Sequence, residues 1–179
     1  MQEIWARLLA GEANSPGRFS RRTVNLLSDF DKSDAELFTR FCGFGWWYNA
    51  TPMPLIFNVD GEIYDHRGIN FNAVTHLENI GLVQFDSLQG FVMRKLPKRV
   101  SVSYFGQSVE ITLPGDSDNS LQIGNVIPTQ AGAELASVCE AKPVDGFFDF
   151  VYDKWAAISL VPKRQTEQGV PADADESRR

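Results

Sequence analysis

The chain is poor in the residue types that most often carry chemistry. Its 179 residues include two cysteines and two histidines. Cys42 and Cys139 stand far apart and neither belongs to a CxxC pair. That pattern excludes a sequence-readable zinc site or disulfide framework, and reduced thiols in a cytoplasmic protein are the expectation. Neither cysteine has a histidine pattern beside it, so burial rather than nucleophilic catalysis is the reading for Cys42. His66 lies near Asp60, Glu62 and Asp65 in "NVDGEIYDH". The segment lacks the ligand ladder of a calcium loop and reads as a polar turn. A hydrolase built on Glu12 and His76 has no motif behind it. There is neither a Gly-x-Ser-x-Gly elbow nor a glycine-rich phosphate loop, so Ser20, Ser33 and Thr129 are read as helix caps, not nucleophiles. No catalytic residue, metal or cofactor is assigned. Apolar runs are short as well: none approaches the roughly 18 residues of a membrane-spanning helix. Glu3, Arg7 and Glu12 interrupt the first segment, so no secretory leader is expected.

Positive charge is scarce where a nucleic-acid binder needs it. Seventeen Lys and Arg against 23 Asp and Glu leave a formal net charge of −6. That balance argues against non-specific nucleic-acid binding. Residues 100 to 141 contain no Lys or Arg, yet they carry Glu110, Asp116, Asp118, Glu134 and Glu140. The basic residues gather instead at Arg18, Arg21 and Arg22, and in "RKLPKR", which supplies Arg94, Lys95, Lys98 and Arg99. These seven are the candidates for anion or nucleic-acid contact. The first three surround Ser20, where a helix start offers free N–H groups to an anion. The competing role is structural, an arginine bridging to Glu12 or Asp29, with Arg22 expected to hold the turn.

Apolar residues are plentiful: 43% of the chain is hydrophobic and 12% aromatic, enough for a real core. Residues 3 to 10 place Ile4, Trp5, Leu8 and Leu9 on one helical stripe, with Gly11 as a stop. "NSPG" is a turn. Ser20 caps a second helix, and in "SDAELFTRF" Ser33 and Glu36 have capping-box spacing for a third. "CGFGWWYNATPMPLIF" then leads into a short strand around Leu55 to Phe57. A fourth helix covers Asn72 to Asn79, followed by a strand in "LVQF". "VSVSYFGQSVEITL" alternates as a hairpin turning near Phe105-Gly106-Gln107, with Val100, Val102 and Tyr104 on one face. "LQIGNVI" is a further strand, Thr129 caps a helix beginning "QAGAEL", and "VDGFFDFVYDKWAAI" holds the last helix before a terminal strand in "SLVP". The fold class is mainly α with a small antiparallel β-sheet (α+β): N-terminal helices plus a winged-helix-like unit from Ile69 to Cys139. The expected organisation is residues 1–60 as a helical region with an aromatic segment, 61–162 as the winged-helix-like unit and C-terminal helix, and 163–179 as a disordered tail.

"WARLLAGE", "PGRFSRRTVNLLSDFDKSDAELF", "LENIGLV" and "IPTQAGAELA" together resemble an uncharacterised bacterial family of unknown function. Its signature runs W-A-x-L-L-A-G-E, P-G-x-F-S-x-R-T, a D/E-A-x-L-F helix and a late L-T-x-x-G-x-E-L. The resemblance covers roughly residues 3 to 155 and implies no enzymatic activity. It also implies a chain that is either a short member or the C-terminal half of something longer. Pro128-Thr129 stands where the late motif begins Leu-Thr, which leaves the threonine cap intact.

The expected function is a non-enzymatic protein-interaction or scaffolding domain in the cytoplasm, assembling with itself or a protein partner. Trp46, Trp47 and Tyr48 are its candidate interface residues, because rings of this kind anchor interfaces when exposed; core packing is the other fate open to them. The second expectation is a nucleic-acid-associated winged-helix protein. Against it, the helix "NAVTHLEN" offers Asn72, His76 and Asn79 but no Lys or Arg, and the hairpin tip has no basic residue either.

Overall fold

The computed structural model describes residues 2–158 and 160–164. Helix α1 spans Gln2–Asn14 and does not stop at Gly11. The glycine is there for close packing: a Cβ would sit 2.8 Å from the Phe19 ring. Glu12 closes the following turn, its two carboxylate oxygens accepting the backbone N–H groups of Gly17 and Phe19. Helix α2, Arg21–Ser28, is capped by Ser20, whose Oγ accepts from the Thr23 N–H at 3.2 Å. Helix α3, Lys32–Cys42, begins with a capping box made by Asp31 and Asp34. Ser33 and Glu36 have the same spacing two residues later. The carboxylate at Asp31 takes the cap, and the Ser33 hydroxyl donates to it at 2.7 Å.

Strands β1, Gly45–Tyr48, and β2, Thr51–Pro54, form a hairpin where the sequence suggested only an aromatic lead-in. Asn49 and Ala50 adopt φ of 46° and 62°, the left-handed pair that a two-residue hairpin turn requires. Pro52 and Pro54 are tolerated because β2 is an edge strand. The expected strand at Leu55 to Phe57 is absent because that backbone bonds elsewhere. The Tyr64 hydroxyl donates to the Leu55 carbonyl at 2.8 Å and accepts from the Phe57 N–H, and the Asn125 N–H donates to the Ile56 carbonyl at 2.7 Å.

Tyr64 belongs to the short helix α4, Glu62–Asp65, in the segment read as a polar turn. Helix α5, Phe71–Asn79, follows an Asn70 cap. Then come β3, Val83–Phe85; β4, Phe91–Leu96; β5, Arg99–Tyr104; β6, Gln107–Thr112; β7, Asn119–Gly124; and β8, Val126–Pro128. Helix α6, Gln130–Ala136, carries the predicted Thr129 cap, α7 spans Phe147–Ala157, and β9 is Val161–Arg164. Lys163 and Arg164 are therefore strand, and the rest of the expected tail, 165–179, lies outside the described residues.

The fold is α+β, with N-terminal helices and an antiparallel sheet of order β2-β1-β5-β6-β9. Two short ribbons, β3–β8 and β4–β7, complete the strand pairing. The β5–β6 turn falls at Phe105 and Gly106 as expected, and Val100, Val102 and Tyr104 share the buried face. That hairpin is paired on both sides, by β1 and by β9. Through Trp47 and Ser103, β1 joins regions 1–60 and 61–162 in one sheet. One buried cluster runs from Ile4 to Leu160. At its centre Trp46 stacks on Tyr104 and Phe148 and meets Trp155 edge-on, which seats α7 against the sheet. No described helix is long and apolar enough to cross a membrane.

Candidate functional site

The arginine cluster around Ser20 does not leave an open anion site. The N-terminus of α2 is occupied by the chain's own Glu134, delivered from α6. One Glu134 oxygen accepts from the Ser20 N–H at 2.9 Å and the Thr23 hydroxyl at 2.6 Å; the other accepts from Gln130 at 2.8 Å. Burial works against the charged carboxylate. The hydrogen bonds from Thr23, Ser20 and Gln130 outweigh it and hold Glu134 below the ordinary carboxylate range. Arg18 lies over the Phe19 ring, 5.3 Å from its centroid, and reaches the Ser137 hydroxyl at 3.4 Å. Arg21 and Arg22 are exposed and form no ion pair with a described residue. The turn-holding role expected of Arg22 belongs to Glu12.

The second basic cluster is partly neutralised locally. Lys98 pairs with Asp116 at 2.7 Å, and Arg99 lies 4.0 Å from Glu110. Arg94 and Lys95 form an irregularity in β4, with Lys95 at φ 59° and its pairing register shifted between Met93 and Leu96. All four are exposed. Of the three candidate interface rings, Trp46 is fully buried and belongs to the core. Trp47 and Tyr48 are half-buried on β1.

His76 and Glu12 do not meet as a catalytic pair. Glu12 is committed to the Pro-Gly turn, while His76 Nε2 lies 2.6 Å from Oδ1 of Asp34, whose other oxygen accepts the Asp31 N–H in the α3 capping box. Among the described residues no group of three or more His, Cys, Asp or Glu is arranged to hold a metal.

A groove that the sequence did not announce lies between α1, α3 and the segment after α6. Its larger part, about 340 Å³, has Ile4, Ala35 and Val138 as apolar floor. It shares Thr39, Arg40 and Glu140 with a neighbouring hollow of about 240 Å³ that adds Arg67, Lys142 and Val144. Tyr104 fixes the far wall. Its buried hydroxyl donates to the Gly43 carbonyl at 2.8 Å and accepts from the Val144 N–H at 2.7 Å, tying residues 142–144 to the end of α3. Burial pushes the Tyr104 pKa up, so the hydroxyl keeps its proton. Gly43 is needed at this junction, where a Cβ would lie 2.8 Å from the Lys142 carbonyl.

Four cations line this groove against two carboxylates, in a chain whose overall charge is negative. Glu140 is engaged by Arg7, Glu36 lies 3.5 Å from Lys32, and Arg67 is 3.5 Å from Asp145. Arg40 and Lys142 are exposed and form no ion pair with a described residue. Sequence reasoning missed the groove because its cations come from α1, α3, the turn after α4 and the segment after α6, none of which forms a basic run.

Neither a curated protein nor a solved structure matches the chain. One family model does, and its match runs from α1, which forms one groove wall, into α7 at the centre of the core. It covers residues 1–152 under the description Protein of unknown function (DUF2806), and the chain belongs to that family.

Proposed function

We propose that this domain is a non-enzymatic protein-interaction module whose groove between α1, α3 and residues 138–144 seats an extended acidic peptide segment of a partner. The observation that carries the reading is the pairing state of the groove's cations. Arg40 and Lys142 flank an apolar floor and have no counter-ion among the described residues, while Arg7 and Arg67 are already engaged. Carboxylates on an extended chain complement such a rim, and Ile4, Val138 and Val144 offer apolar contact between them. The two free thiols fit a reducing compartment such as the cytoplasm.

The test is fluorescence anisotropy of a labelled oligo-glutamate peptide titrated with the full chain at low and moderate salt. The peptide should bind and weaken as salt rises. The double variant Arg40→Glu with Lys142→Glu should abolish binding, whereas Arg94→Glu with Lys95→Glu should leave it unchanged. Peptide that does not bind, or that binds equally to the groove variant, refutes the reading. So does a labelled DNA duplex that binds more tightly than the peptide and loses affinity only in the Arg94/Lys95 variant.

A further inference from the structure

The chain's only two cysteines are 97 positions apart, yet the fold brings both to one small cavity. Cys42 sits on the last turn of α3, and Cys139 follows α6. Thr39 and Cys42 are three residues apart on α3 and so share a helix face. The Cys139 thiol donates to the Thr39 hydroxyl at 3.5 Å on that face, and both cysteines line the same cavity. Both cysteines are half-buried and free. Phe38, Phe41, Trp47, Pro52 and Pro54 wall the cavity, whose volume is about 70 Å³.

From this geometry we infer that Cys139 and Cys42 form a peroxide-responsive dithiol site, with Cys139 as the attacking thiol and Cys42 as the resolving one. A cavity this small and apolar admits a small uncharged oxidant and excludes a bulky charged disulfide. In the first step the Cys139 thiolate attacks one oxygen of a hydroperoxide. The O–O bond breaks, the alkoxide or hydroxide leaves and takes up a proton, and Cys139 becomes a sulfenic acid. In the second step the Cys42 sulfur attacks the sulfenic sulfur, water departs, and an S–S bond joins the two residues. Two thiols and one peroxide thus give one disulfide, one alcohol or water from the peroxide, and one further water.

The division of labour follows from the surroundings. The interaction with Cys42 lowers the Cys139 pKa most; the Thr39 hydroxyl, the Ala141 backbone and the charge of Arg7 add to it, and together they outweigh burial and leave the thiol at about 7. Burial pushes Cys42 up, well above the ordinary thiol range. The thiolate is the nucleophile, so Cys139 reacts first. The bridge would fasten the end of α3 to the chain after α6. This inference does not rest on peptide binding in the groove.

The full-length reduced chain is treated with hydrogen peroxide and digested without reductant for mass spectrometry. The expected product is a peptide pair cross-linked Cys42 to Cys139 within one chain and released by reductant. In Cys42→Ser, dimedone should trap a sulfenic acid on Cys139; in Cys139→Ser, Cys42 should stay unlabelled over the same interval. Thermal melting establishes that each variant is folded. Should either unfold, competitive alkylation of the wild type at pH 7 replaces it, with Cys139 expected to react roughly tenfold faster than Cys42. Thiols that survive peroxide unchanged, bridges only between chains, dimedone on Cys42 instead of Cys139, or equal alkylation rates overturn the inference.

Discussion

Removing the Glu134 carboxylate tests whether α6 locks the N-terminal helices in place. Glu134→Ala deletes the acceptor for the Ser20 N–H, the Thr23 hydroxyl and Gln130 together. A hydrogen bond to a charged group contributes about 1.5–3 kcal/mol net. The sum is smaller here because Thr23 is not orphaned. Its hydroxyl keeps the Ser20 Oγ as a partner at 2.9 Å, and Gln130 belongs to the surface and turns to water. The uncompensated loss is the Ser20 N–H and the carboxylate at the positive end of α2, so about 2 kcal/mol is expected. For a chain of this size that is a Tm decrease of about 6 °C. Glu134→Gln retains one acceptor oxygen and should lose about half as much.

The pH dependence separates charge from shape. Glu134 is held below its ordinary pKa in the folded state, so the unfolded chain takes up its proton more readily. Its charge contribution is complete above the unfolded-state pKa of about 4.3 and disappears as pH falls through the lower folded value. Urea unfolding at pH 7 and at successively lower pH should therefore show the wild type and Glu134→Gln converging as the medium becomes acid. A Glu134→Ala variant within 0.5 kcal/mol of wild type at pH 7, on an ordinary threshold for surface substitutions, refutes the lock. A gap between wild type and Glu134→Gln that widens in acid refutes its electrostatic part.

Two further substitutions probe packing that the sequence concealed. Gly132→Ala replaces a glycine inside a helix, normally a gain of up to about 1 kcal/mol, but its Cβ would overlap the Leu82 carbonyl oxygen; a loss of about 2–3 kcal/mol in urea unfolding is expected instead. Tyr104→Phe strands the Gly43 carbonyl and the Val144 N–H, and should cost about 1–3 kcal/mol while speeding hydrogen exchange at the Val144 amide more than at amides within α5.

Local signals mostly read true where the determining interaction was itself local; the exception is the α3 cap, which Asp31 takes two residues before Ser33. Ser20 and Thr129 cap helices because their hydroxyls reach N–H groups three residues on, and the β5–β6 turn follows from alternation ending at Phe105-Gly106. The other errors came where a distant partner decided. Gly11 looks like a helix stop until Phe19 packs against it, and Leu55 to Phe57 looks like a strand until Tyr64 and Asn125 take its backbone groups. The β1–β2 hairpin was hidden by two prolines that only an edge strand accepts. Trp46 offered itself as an interface residue because its burial by Tyr104 of β5 and by Phe148 and Trp155 of α7 involves two segments remote in sequence. The groove and the dithiol cavity were illegible for the same reason, since each assembles single residues from several elements.

Glu134 also changes what the arginines at 18, 21 and 22 can do. A phosphate bound at a helix start draws on backbone N–H groups and the helix dipole, both of which are fixed in position without cost at the moment of binding. At α2 those groups already face an internal carboxylate, so an incoming anion meets a negative charge where a positive field was expected. Arg18 is drawn away onto Phe19 and Ser137. What remains is Arg21 and Arg22, two exposed side chains in high-dielectric surroundings, where ion pairs contribute little and salt screens them. The groove cations sit differently: Arg40 of α3 and Lys142, whose segment Tyr104 clamps, flank an apolar floor. Placement beside an apolar floor, rather than the density of arginines along the chain, is what favours the groove over the start of α2 as the proposed binding surface.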